Sequence, residues 1–275
     1  MVQAEPILGL TLSALGGSGC VLSAETRNAI EVSLDIKKSE TGLDFLYLWG
    51  RITTRNGKDY LVAEGHSGGK VFKGAVSLPI KHFFSQDGTT WADLPETLSP
   101  EELETCSKIA LKKTIFTGDP ATILTPDGTA VGGEEGDAAP AEGDEAQKGV
   151  QVTELQRLKH VVEAITNDCL VVPRGAFVEN ASNKIIPNGN FNGVHHPEKL
   201  ESYQHFTRGP DTPKSDLGEN PRGSWSITYD GFRGVAVGRS NVWLGYSFYF
   251  NTKNKTFGGL YFGDGNKNTD LIFML

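Results

Sequence analysis

No stretch of this sequence approaches the ~20 consecutive apolar residues that a helix needs to cross a bilayer. Basic residues are in the minority, 26 Lys and Arg against 34 Asp and Glu, for a formal net charge of −8. Such a balance argues against a nucleic-acid partner, since affinity for phosphate backbones comes from clustered cations. Cysteine is scarce: Cys20, Cys106 and Cys169 are widely spaced and form no CxxC pair. An odd, dispersed set fits reduced intracellular thiols better than a disulfide framework. The first six residues hold no Lys or Arg and include Glu5, so they lack the positive start of a secretory signal. We therefore expect an intracellular chain whose sequons at Asn180 and Asn254 carry no glycan.

Catalytic signatures are equally sparse. HExxH does not occur, and although Gly65–Gly69 spells the letters GxSxG, no nucleophile elbow is read there. Gly65-His66-Ser67-Gly68-Gly69-Lys70 has the look of a phosphate loop, but Glu64 and Val71 stand where the motif needs Gly and Ser or Thr. Gly17-Ser18-Gly19 follows a helical pattern and not a strand, so it reads as a turn. His195, His196 and His205 lie near Glu198 and Glu201, yet without the fixed spacing of a metal site. We read His195 and His196 as residues at the start of a helix opened by Pro197, with Glu201 and His205 four apart on it. Asp264, Asn266, Asn268 and Asp270 alternate like calcium ligands. The sixth and twelfth positions of that loop are Thr269 and Leu275, however, where Gly and Glu are required. A polar turn is the expectation, with no metal and no cofactor. A calcium-dependent, ligand-binding β module is the alternative that this loop keeps open.

What is present is a core. Hydrophobic residues make up 38% of the chain and aromatics 9%, enough to exclude wholesale disorder. Residues 126–149 are the exception, with seven acids, six glycines, one base (Lys148) and no aromatic. They carry −6 of the net charge, leaving −2 for the rest. A stretch that can bury so little reads as a flexible linker or insert. We expect a helical and β-hairpin lobe over 1–125 and a helix with an aromatic-rich β lobe over 150–275, the two free to share one core.

Local signals give the elements. Ile7, Leu8, Leu12 and Leu15 keep helical spacing until the glycines at 16–19. Ser23 caps a helix running to about Lys37, with Ile30 and Leu34 on its apolar face. Asp44–Thr53 and Asp59–Glu64 are strands joined through Asn56-Gly57, and a second hairpin turns at Asp87-Gly88. Ser99-Pro100-Glu101-Glu102 opens another helix. Thr153 caps one whose stripe is Leu155, Leu158, Val161, Val162 and Ile165, stopping near Asp168. Cys169–Val172 reads as a short strand, and Val178–Arg222 as long surface loops. Gly223–Leu275 contains 12 of the 25 aromatics and no Glu. Trp225, Ile227 and Tyr229 alternate with polar residues there; Gly234–Ser240, Val242–Phe250 and Phe257–Phe262 follow as further strands of a meander. The fold class is therefore α+β: mainly antiparallel sheet, made of hairpins and a C-terminal meander, with several short helices. Trp49, Trp225, Trp243, Tyr249 and, in the apolar tail Leu271–Leu275, Phe273 are the aromatics to weigh as partner anchors against ordinary core duty.

Seven words of the sequence, in order, resemble the radial spoke head family of motile cilia and flagella. They are Leu46–Ile52 (LYLWGRI), Asp59–Gly65 (DYLVAEG), Thr117–Pro120 (TGDP), Thr153–Leu155 (TEL), Val171–Phe177 (VVPRGAF), Gly223–Ile227 (GSWSI) and Lys267–Leu275 (KNTDLIFML). The acidic 126–149 stretch departs from the family pattern. The resemblance implies a non-catalytic subunit of the spoke head, resident in the axonemal cytoskeleton. It would pair with radial spoke head proteins 4 and 6, meet the central-pair apparatus by contact, and help relay mechanical contact towards the dynein arms. It implies no catalytic residues, no cofactor, no nucleic acid and no membrane.

Overall fold

The computed structural model describes residues 8–66, 80–131, 150–179, 185–206, 217–218 and 222–274. The local punctuation read from the sequence does its work here. Helix α1 (Leu8–Leu15) runs into a 3-10 turn and stops at Gly19, whose φ of 87° a side chain would resist. Helix α2 (Ala24–Thr41) is capped by the Ser23 hydroxyl, which accepts from the Thr26 amide at 3.0 Å. It continues one turn beyond Lys37, because the first residue to leave helical geometry is Gly42, at φ 66°. Helices α3 (Pro100–Leu111) and α4 (Glu154–Cys169) both open on reciprocal capping boxes, Ser99 with Glu102 and Thr153 with Gln156.

Strands β1 (Phe45–Ile52) and β2 (Tyr60–His66) form the first hairpin. Strands β3 (Ile80–Ser85) and β4 (Ala92–Asp93) continue it. A small ribbon follows, made of β5 (Ile123–Leu124), β6 (Ala130–Val131) and β7 (Val152–Thr153). The first six residues of the acidic stretch thus belong to a hairpin, while 132–149 lie outside the described residues. Beyond α4 come β8 (Val171–Pro173), β9 (Phe177–Glu179), β10 (Ile185–Pro187) and β11 (Tyr203–His205). The meander is β12 (Trp225–Asp230), β13 (Val235–Ser240), β14 (Tyr246–Asn251) and β15 (Phe257–Gly263), and the short helix α5 (Leu271–Met274) follows it.

Three expectations are corrected. Pro197 opens no α-helix: Leu200–Ser202 is a single 3-10 turn and His205 stands on β11, not on a helix face shared with Glu201. Tertiary packing decides this, because Tyr203 is fully buried with its ring 5.0 Å from Phe248 while β11 pairs with β8. Cys169 closes α4, and the strand begins two residues later at Val171. Val242 and Leu244 precede β14 instead of lying in it. The chain turns there through Gly245, where a Cβ would sit 2.2 Å from the Phe262 carbonyl oxygen.

The main sheet has eight strands in the order β12-β13-β14-β15-β1-β2-β3-β4. Its seam is the parallel pairing of β1 with β15, which sets Gly50 against Tyr261 and Ile52 against Gly263. Strands from both sides of the acidic stretch thereby share one sheet. Alternation along β1 sorts the two faces. Leu46 and Leu48 pack with Ile30 and Leu34 of α2, while Leu12 and Leu15 of α1 pack with Tyr249 and Leu260. Tyr47 and Trp49 point the other way, into a cluster with Leu158, Val161, Val162 and Ile165 of α4 and with Tyr203. A bulge between Leu48 and Gly50 resets the parity, which is how Ile52 returns to the α4 face. Fully burying a side chain of this size is worth ~1.5–3 kcal/mol, so the two helical layers are held mainly by these contacts.

Candidate functional site

Polar groups concentrate where α4 meets the sheet. Glu154, the first residue of α4, is fully buried. Its Oε1 accepts from the Tyr60 hydroxyl and the Gly118 amide, both at 2.8 Å; its Oε2 accepts from the Thr117 amide at 2.9 Å and the Thr117 hydroxyl at 2.6 Å. Each oxygen of this carboxylate therefore has two donors aimed at it. Burial, together with that negative charge, pushes the Tyr60 phenol far above its ordinary range. One turn along, Arg157 is buried, donates to the Thr114 carbonyl and lies 4.1 Å from the Phe116 ring centroid. Burial lowers its pKa to about 10, against the pull of Glu154, so it stays charged at neutral pH. These bonds fasten β2, the 114–118 segment and α4 into one unit.

A second network crosses the same layer. The Tyr47 hydroxyl donates to Glu64 Oε1 at 3.0 Å, and His82 Nε2 lies 3.9 Å from Glu64 Oε2. Lys159 Nζ stands 3.0 Å from His82 Nδ1 and 2.9 Å from Glu163 Oε1. Lys159 and His82 are thus joined across the layer, with His82 Nε2 turned to the Glu64 side. Glu64, His82 and Lys159 are all buried. Neither network leaves a pattern in the sequence: Glu154 lies just after the Thr153 cap, far from Tyr60 and Thr117, and His82 and Lys159 are 77 residues apart.

Four of the five aromatics weighed as anchors lie inside the chain. Trp49 is 1% exposed and its Nε1 donates to Thr166 Oγ1 at 3.0 Å, tying β1 to α4. Trp225 packs between Tyr246, Phe248 and His205. Trp243 Nε1 donates to Asp168 Oδ2 at 2.9 Å, the oxygen that Lys267 also reaches at 2.8 Å. Tyr249 is buried under α1, its hydroxyl 3.3 Å from that of Thr11. Large rings that can bury nearly all their area do so, and the indole nitrogens of Trp49 and Trp243 and the Tyr249 hydroxyl have each found a partner. Phe273 differs: it is 87% exposed on α5, while Leu271 beside it is buried. Lys113 pairs with Asp270 at 2.9 Å and brings the end of α3 towards that helix, with Leu111 and Ile115 also exposed.

The remaining candidates have structural employment. Asp264 accepts from the backbone and side-chain nitrogens of Asn266, Asn268 bonds the Asp270 amide and the Asn241 carbonyl, and Asp270 meets Lys113. Those are the bonds of a polar turn. His196 faces Glu198 at 3.3 Å, and the His205 ring lies tilted against Trp225 with centroids 5.8 Å apart. Among the described residues no three His, Cys, Asp or Glu side chains are grouped to hold a metal ion. Residues 67–70 of the glycine-rich 65–70 stretch lie outside the described residues. Burial pushes the Cys20 and Cys106 thiols up to about 11 and Cys169 further still, which leaves all three protonated at neutral pH. No helix among the described residues is long and apolar enough to cross a membrane.

No protein-family model matches the chain. Individual proteins do. A radial spoke head protein 9 homolog of Xenopus tropicalis is 32% identical over 289 residues, covering 98% of each chain. That of Danio rerio is 33% identical over 293 residues, again with 98% of each covered. The human homolog is 31% identical over 300 residues, covering 100% of both. At such identity, from end to end, the chain belongs to the radial spoke head protein 9 family.

Proposed function

We propose that this protein is a non-catalytic structural subunit of the axonemal radial spoke head in cilia or flagella. In this reading it pairs with radial spoke head proteins 4 and 6 and helps relay contact from the central pair towards the dynein arms. The observation that carries the proposal is the near full-length likeness to proteins named for that assembly. The architecture suits the task. One sheet sandwiched between helical layers, with its buried acids and cations tied to neighbouring elements, resists deformation when pushed at one edge. Phe273, proud of the surface on α5, is the aromatic we assign as a partner anchor.

The test is rescue of ciliated cells that lack the protein. Loss should leave cilia of normal length with an uncoordinated or absent beat, which the full chain restores. Phe273→Asp, or removal of residues 271–275, should fail to restore spoke heads. A normal beat after loss refutes the spoke-head assignment; full rescue by Phe273→Asp refutes the anchor alone.

A further inference from the structure

Phe232 is the most exposed large apolar residue described, at 92%, and nothing about its turn is loose. It sits between β12 and β13, where Asp230 Oδ1 accepts from the Phe232 amide at 3.0 Å and the Arg233 amide at 3.2 Å. The Gly234 amide donates to the Asp230 carbonyl at 2.8 Å. Lys253, from the turn between β14 and β15, donates to the Phe232 carbonyl at 3.0 Å, and Arg233 donates to the Ser13 carbonyl of α1 at 2.6 Å. Two hairpin tips and one helix therefore fix an aromatic ring that points into solvent. Beside it runs a cleft of about 390 Å³ between α1 and the meander, floored by Leu10, Ala14, Val235 and Tyr249. An exposed ring on a turn that is already ordered is the arrangement that docks with little entropic loss.

Most of the charges around it are basic. Arg233 and Lys253 line the cleft, Arg239 and Lys255 stand on the same two hairpins, and α1 contributes no charged residue. The acid of the tips, Asp230, has one carboxylate oxygen engaged by two backbone amides. This basic rim belongs to a chain whose net charge is −8, so it is a local feature and not a reflection of composition.

We propose that the Phe232 tip and its cleft form a docking surface for an acidic peptide segment of a partner protein, with an apolar side chain entering the cleft and carboxylates meeting Arg233, Lys253 and their neighbours. Rim charges of this kind steer encounter and select partners, while the ring supplies the buried anchor. The inference is independent of the Phe273 face and of the assembly that the chain joins.

The experiment is fluorescence anisotropy of the full chain with a labelled 12-residue probe of Glu and Asp around a central Leu-Phe pair. A probe of the same length with Ser and Gln replacing the acids serves as control. Saturable binding of the acidic probe that weakens with salt, and falls about tenfold in Phe232→Ala and again in Lys253→Glu, is the expected result. Equal binding of both probes, or equal binding by the parent and both variants, overturns the proposal. So does uptake of anionic phosphatidylserine vesicles through Phe232 without any binding of the peptide. Binding that emerges only after residues 132–149 are deleted would mean that the chain's own acidic segment fills the cleft, which also overturns it.

Discussion

Replacing Glu154 with glutamine keeps the shape of the side chain and changes one oxygen into a donor. Whichever oxygen is lost, one of its two partners is a hydroxyl that can rotate to accept and the other is a backbone N–H that cannot. Tyr60 and Gly118 share Oε1, while the Thr117 hydroxyl and amide share Oε2. So either orientation of the amide orphans one buried backbone donor, at about 1–3 kcal/mol, and the surviving bonds lose their charge assistance. Relief of the buried charge offsets part of this. The net loss should be about 3 kcal/mol, a fall in Tm of roughly 6–12 °C for a chain of this size. Tyr60→Phe removes one donor and leaves three, so it should cost about 1 kcal/mol. Urea unfolding followed by tryptophan fluorescence measures both. The reasoning fails if Glu154→Gln lies within about 0.5 kcal/mol of the parent, inside the scatter of surface substitutions, or if Tyr60→Phe proves the more damaging change.

Other expectations rest on separate features. Gly50→Ala places a Cβ 2.1 Å from the Tyr261 carbonyl oxygen, so the β1–β15 seam must part at a cost of ~3 kcal/mol or more, and amide exchange near Phe262 and Gly263 should quicken. Gly16→Ala, with nothing within 4 Å, should be near neutral; equal effects of the two would contradict the seam. Thiol reagent at about pH 8 should leave Cys20, Cys106 and Cys169 untouched until the chain is unfolded, and rapid labelling of the native protein would disprove their burial. Burial holds His205 and His160 below the ordinary 6.5, with Asp168 and Glu163 opposing. The unfolded chain then takes up protons first, so the stability these groups contribute is complete above pH 6.5 and fades as pH falls towards their folded-state values. Tm should drop on acidification through that window, with a shallower slope in His205→Gln; an unchanged slope would refute it.

What could be read in advance was local. Caps at Ser23, Ser99 and Thr153, the Asn56-Gly57 turn and the C-terminal meander all announce themselves within a few residues. The β1–β15 seam does not, because parallel strands distant in sequence leave no turn between them to read. The same holds for β11, whose residues look like loop until Tyr203 finds Phe248. The aromatics illustrate the limit of composition. Trp49 and Phe273 are similar as letters in apolar words, yet one is enclosed by α4 and the other faces solvent, and only the third dimension separates a core residue from an exposed one. Glu154 was hidden for a related reason: its four donors come from two separate places in the chain, Tyr60 and the 117–118 segment, drawn together by the fold.

Capture of the tagged full-length chain from ciliary extract, washed at about 0.5 M salt where exposed charge pairs are screened, tests the structural-subunit account most directly. Retention of radial spoke head proteins 4 and 6 is the predicted result. Recovery of the chain alone, as a monomer, would contradict it.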